Sequence, residues 1–142
     1  MIDYGSTLWD SSSMNILKPL HSVYKRALKN VLNKGSRLTT ADYLLLQILP
    51  LKDRFLFNKS MIMNKINSGT APLTLCNQFT KIETRNSSKF LTPIPRIDLY
   101  KSSLLYSGSV LWNSLPLEFK QLTTHKCFKE KIKKHFLNEL HL

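Results

Sequence analysis

The chain has 142 residues, 42% of them hydrophobic and 21% charged, enough for one domain that buries roughly 70% of the surface its unfolded form exposes, and disorder is not suggested. Twenty-one Lys and Arg against nine Asp and Glu leave a net charge of +12, whose positive potential gathers polyanions, with nucleic acid the first candidate partner ahead of an anionic membrane surface or an acidic protein. Cys76 and Cys127 stand apart and make no disulfide framework, and no apolar run approaches the roughly 18 residues of a membrane span.

In chain order, Met1 to Gly5 lacks a basic segment followed by an apolar run, so no secretory signal is expected. Ile2-Asp3-Tyr4-Gly5 reads as the end of a helix whose beginning is missing, and the hydroxyls of Ser11, Ser12 and Ser13 suit the start of the next one. That helix is predicted from about Asn15 to Asn33. Leu17, Leu20, Tyr24, Ala27, Leu28, Val31 and Leu32 form one apolar stripe, and Lys18, Lys25, Arg26 and Lys29 fall mostly off it. Pro19 is expected to kink or restart the helix, and Gly35 to stop it.

Thr39 and Thr40 suit the cap of a second helix reaching Leu49, with Pro50 forcing a break. A third is predicted over Leu51 to Asn67, closed by Gly69 and carrying Lys52, Lys59 and Lys65, and a short fourth over Pro72 to Phe79. Residues 80–98 read as an exposed, basic polar loop. An extended Phe90 to Ile97 leaves room for pairing with Tyr100 to Tyr106. Val110 to Leu115 reads as a short helix ended by Pro116. In the last helix, capped by Thr123 or Thr124, Phe128, Ile132, Phe136 and Leu140 recur in steps of four, and five lysines cover the other sides. The expected fold is mainly α: a single small helical domain with room for a short β-hairpin near residues 90–106. Its parts are helical 1–79, the loop 80–98 and a helical C-terminal region, 99–142.

Five landmarks stand in a fixed order: Tyr4-Gly5-x-x-Leu8-Trp9, Lys25-Arg26-Ala27-Leu28, Leu49-Pro50-Leu51-Lys52-x-Arg54, Gly69-x-Ala71-Pro72-x-x-Leu75 and Gly108-x-x-Leu111-Trp112-Asn113-Ser114-Leu115-Pro116. Together they resemble the post-catalytic tail of non-LTR (LINE, jockey- and CR1-like) retrotransposon reverse transcriptases, over nearly the whole chain. The resemblance implies a thumb-like region at 1–79 and an accessory region beyond it. The implied partners are RNA or RNA/DNA duplex phosphates and the polymerase core. Pro19 departs from the continuous helix that the resemblance implies, and the missing helix start implies a reading frame that begins inside a degenerate element.

Polymerase chemistry needs carboxylates clustered around two metal ions. No Asp-Asp pair occurs and the nine acids are scattered, so the chain is expected to be no enzyme and to need no cofactor. The four glycines stand too far apart for a phosphate-cradling loop. His125, Cys127 and His135 match no common zinc spacing, and packing or surface roles are favoured for them. Trp9 and Trp112 have faces that bases stack on, but their apolar neighbours favour the core.

Lysine-rich helix faces neutralise phosphates without reading bases. The candidate site is therefore Lys25, Arg26 and Lys29 on the first helix with Lys126, Lys129, Lys131, Lys133 and Lys134 on the last. The expected location is intracellular, cytoplasmic or nuclear. Three other readings compete: a merely solvated charged face, an interaction or membrane-surface module built on the amphipathic last helix, and a relic reading frame without function.

Overall fold

The computed structural model describes Ser6 and residues 14–83, 88–122 and 124–140. The readings of Trp9, the serine cluster, the missing helix start and Thr123 lie outside the described residues.

Helix α1 (Met14–Val31) runs through Pro19 without a break. The ring falls near the helix start and costs one hydrogen bond, so the chain continues instead of restarting. The helix ends at Asn33, not Gly35: Asn33 takes the left-handed conformation (φ 48°), its N–H donates to Asn30 O at 3.2 Å, and the Lys34 N–H donates to Lys29 O at 3.0 Å. This is a Schellman stop, in which asparagine serves because its short polar side chain tolerates positive φ. Gly35 has open space around it and no positive φ.

Helix α2 (Thr40–Leu45) is held at its start by Asp42, whose Oδ2 accepts from the Thr39 N–H at 2.6 Å and the Thr39 hydroxyl at 2.9 Å. It stops short of the predicted Leu49 because Gln47 adopts φ 54°, with the Gln47 and Ile48 N–H groups closing on Leu44 O and Tyr43 O. The early stop turns Leu49 inward, where its carbonyl accepts a 2.6 Å hydrogen bond from the Tyr24 hydroxyl.

Helix α3 (Leu51–Asn67) spans the predicted residues. It ends on Gly69 (φ 71°), with Gly69 N donating to Ile66 O and Thr70 N to Lys65 O. Its two ends serve two clusters. Leu51 and Phe55 pack with Tyr24 and Leu28 of α1, while Met63 and Ile66 join Trp112, Phe128, Ile132 and Phe136. Burying each such side chain stabilises by about 1.5–3 kcal/mol.

The short α4 (Leu73–Cys76) leads to a two-stranded antiparallel hairpin, β1 (Lys81–Glu83) with β2 (Ser88–Phe90), in register Lys81↔Phe90, Ile82↔Lys89 and Glu83↔Ser88. The fold is mainly α with one hairpin, as expected, but the hairpin lies upstream of 90–106. Tyr100 to Tyr106 forms no strand: it coils into α5 (Asp98–Lys101) and a π-helical segment, Leu104–Gly108. The cause is local hydroxyl bonding. Ser103 Oγ accepts from the Tyr106 N–H at 3.3 Å, and Ser107 Oγ donates to Ser103 O at 2.8 Å, which favours a helical turn over a strand.

Helices α6 (Ser109–Ser114), α7 (Leu117–Lys120) and α8 (His125–Glu139) complete the chain. Helix α8 lies antiparallel against α3. His125 at its start meets Asn64 near the end of α3, with Nδ1 and Oδ1 3.0 Å apart, and Glu139 at its end bears on Asp53 at the start of α3. Thr124 precedes α8 without a side-chain capping bond.

The Gly108-to-Pro116 landmark acts in packing. A Cβ on Gly108 would stand 2.8 Å from Met63 Sδ, so glycine permits the close approach to α3. Trp112 is fully enclosed, its ring 6.0 Å from Phe90 and 5.9 Å from Phe128. Asn113 closes on the Phe90 backbone, and Pro116 precedes α7. Trp112 thus belongs to the core and offers no face to a base.

Candidate functional site

The eight predicted cations separate into three groups. Lys25 and Arg26 stand one turn before Lys29 on α1 and, with Ser22 of the same helix and Arg37 and Leu38 from the segment after the Asn33 stop, line a hollow of about 270 Å³. No carboxylate lines it among the described residues. Its four cations appear in none of the described ion pairs, which join Lys34 to Asp42, Lys81 to Glu83, Lys101 to Asp98 and His135 to Glu139. Burial, and then the charge of Lys25, hold the nearby His21 below the ordinary histidine pKa, so that it stays neutral at pH 7 and leaves the hollow's charge to Lys and Arg.

Lys129 and Lys133 form the second group. They stand on the flank of α8 that faces α3, beside the buried row of Phe128, Ile132 and Phe136. The groove between the two helices has a volume of about 520 Å³. Its cationic rim is completed by Lys65 and Arg54 from α3, with His125 at one end. Its floor is apolar: Phe57, Met61 and Ile62 pack partly into the core and turn their remaining surface to the opening. Gln47 lines it as well, placed there by its left-handed turn. Again no carboxylate lines the opening among the described residues.

Lys126, Lys131 and Lys134 make the third group. They are exposed and line neither concavity. The lysine-rich helix is therefore not one patch: two of its five predicted lysines converge with α3 and three do not.

Sequence reasoning missed Arg37, Arg54 and Lys65 as site residues. Lys65 was legible as a cation on the third helix, but its meeting with Lys129 and Lys133 depends on how α3 and α8 pack. Lys89 and Lys120 form a further pair of like charges. The Lys120 ammonium donates to Asn113 O at 3.0 Å, and burial, followed by repulsion from Lys89, lowers its pKa.

Among the described residues, no acid lines either of these concavities. Asp42 is bonded by Lys34 at 2.7 Å and by Thr39, which hold its carboxyl down at about 2. Burial pushes Asp53 up from its ordinary value, with Lys52 opposing. The residues once considered for a metal go to separate partners: His125 to Asn64, His135 to Glu139 at 3.3 Å and to the ring of Phe119, while Cys127 is exposed. Among the described residues no three metal-ligating side chains converge, and no helix is long and apolar enough to cross a membrane.

What the two concavities can do is hold anions. The four cations around the hollow, in no ion pair among the described residues, repel each other, and that repulsion is relieved when a polyanion enters. Compared with known proteins, the chain matches no family model, no curated protein and no solved structure.

Proposed function

We propose that the chain is a non-catalytic, nucleic-acid-contacting part of a reverse transcriptase of the non-LTR retrotransposon type, holding RNA or RNA/DNA duplex by its phosphates in the cytoplasm or nucleus. The observation that carries the binding is the cationic lining of both concavities, with no carboxylate among the described lining residues, in a chain of net charge +12. Phosphates on a continuous backbone meet such surfaces without base readout. The origin rests on the ordered landmarks. In the last of them, Gly108, Trp112 and Asn113 hold packing positions in this fold.

The test is binding of a labelled RNA/DNA hybrid over a salt series. Affinity should fall linearly on a log–log plot, with a slope of about 0.9 per phosphate neutralised. Replacing Lys25, Lys29, Lys129 and Lys133 with glutamine should flatten the slope more than replacing Lys126, Lys131 and Lys134. Salt-independent binding, or equal effects of the two sets, sinks the assignment of these surfaces.

A second reading has its own observation. The apolar face of α8 is buried in the core, so that helix has none to offer a membrane. Helix α1 does: Ile16, Val23 and Val31 are 69%, 61% and 70% exposed on the side opposite the basic face of Lys18, Lys25 and Lys29. A surface-lying amphipathic helix has this character. Flotation with anionic vesicles, in the absence of hybrid binding, would favour it.

A further inference from the structure

The two concavities differ in one respect that phosphate binding leaves unexplained. The hollow on α1 is lined by Ser22 and by the stems and charged ends of Lys and Arg, with Leu38 its one hydrophobic residue among those described. The groove between α3 and α8 has the same kind of cationic rim over an apolar floor of Phe57, Met61 and Ile62. A duplex keeps its base faces stacked inside and presents sugar and phosphate, so the floor would gain nothing from it. An unpaired nucleotide presents an aromatic face and its phosphates together, and base against aromatic is a strong, sequence-tolerant contact. The volume of about 520 Å³ lies in the range of compact ligand pockets, so it suits a unit inserted from one side.

We propose that this groove takes an unstacked nucleotide of a single-stranded RNA or DNA segment, its base on Phe57, Met61 and Ile62 and its flanking phosphates on Lys65, Lys129 and Lys133. The proposal rests on the nucleic-acid reading above and deepens it by naming the strand state. The charge lining selects the occupant. A strand carrying one charge per residue brings a phosphate on each side of the base to the cationic rim, which a single carboxylate does not. Lys65, Lys129 and Lys133 stand in no ion pair among the described residues, so no carboxylate must first be displaced from them there.

The full chain is titrated with two fluorescein-labelled probes of equal length and charge: a twelve-residue oligothymidylate and the same backbone carrying abasic sites throughout. The oligothymidylate should bind about tenfold more tightly, with parallel salt slopes, because stacking adds to an unchanged phosphate contribution. Phe57→Leu keeps an aliphatic side chain in the core and removes the ring, and it should shrink that ratio. Lys129→Gln with Lys133→Gln should weaken both probes alike.

Equal affinity for the two probes overturns the nucleotide pocket and leaves phosphate binding standing. Failure of both probes and of the hybrid duplex overturns the nucleic-acid reading itself. A ratio unchanged by Phe57→Leu, in a variant that keeps the wild-type denaturation midpoint, also overturns the pocket. So does displacement of the oligothymidylate from the groove by an acidic amphipathic peptide that binds there more tightly.

Discussion

Asn113 pairs with the backbone of Phe90 as a neighbouring strand would: the Phe90 N–H donates to Asn113 Oδ1 at 3.0 Å, and Asn113 Nδ2 donates back to Phe90 O at 2.8 Å. One side chain thus satisfies both backbone groups of a residue whose ring is buried between Phe79 and Trp112. Asn113→Ala leaves an unmet donor and acceptor beside the core, and should lower stability by about 1–3 kcal/mol in chemical denaturation. A loss within a few tenths would mean that water replaces the pair at no cost.

The contact at Gly108 predicts a non-additive pair. Gly108→Ala alone drives a Cβ onto Met63 Sδ and should cost about 1–3 kcal/mol. In a Met63→Ala background, itself destabilised by its cavity, the same change should cost clearly less. Simple additivity in the double-mutant cycle would show that the clash is relieved some other way.

Gln47 and Asn33 both close helices in the left-handed region, at φ 54° and 48°. The strain is larger for glutamine, whose side chain lacks the short local hydrogen bonding of asparagine. Gln47→Gly should therefore raise stability by about 0.5–1 kcal/mol, the relieved strain less the extra freedom of glycine when unfolded, and Asn33→Gly should gain less. Thermal melts of the two variants, measured side by side, decide this by their order.

Asp42 predicts an acid limb. Its folded pKa is depressed from 3.8 to about 2 by Lys34, then by the Thr39 backbone. Its ion pair therefore contributes stability that is fully present above the unfolded pKa and is lost as pH falls from about 4 through about 2. Asp53 works the other way. Burial raises its pKa, so its charge is a penalty at neutral pH that protonation relieves. Denaturation midpoints of wild type and Asp42→Asn should differ at pH 7, with the gap narrowing from about pH 4 and closing only as pH falls through about 2. A gap that stays constant across that range would remove Asp42 from the acid response.

The helices were legible where buried side chains recur at helical spacing. Leu51 to Asn67 could be read that way although its two ends serve different clusters, and the Phe128, Ile132, Phe136 row packs on one. The stop of α1 was misplaced because Gly35 is the stronger general signal, while Asn33 lies one residue beyond the last helical contact and wins by register. The hairpin was misplaced for a different reason. Lys81, Ile82 and Glu83 are all exposed, so no alternation marks them, and their partner strand is fixed by Asn113 from 23 residues away. The same limit applies to the candidate site. The charges on α1 and α8 were visible, but Lys65 and the floor of Phe57, Met61 and Ile62 became a site only when α8 folded against α3.

Helix α3 carries both clusters on one rod, and this sets an order of opening. The smaller cluster of Tyr24, Leu28, Leu51 and Phe55 can dissolve without exposing Trp112 or Phe128. Native-state amide exchange should therefore resolve two cooperative units, α1 with the first turns of α3 opening at lower free energy, and Met63 to Ile66 with α6 and α8 only on global unfolding. The hollow of Lys25, Arg26 and Lys29 rides on the first unit and the groove of Lys129 and Lys133 on the second. A strand that engages the hollow would slow exchange throughout α1, so amide protection would report which concavity is filled without any label on the ligand.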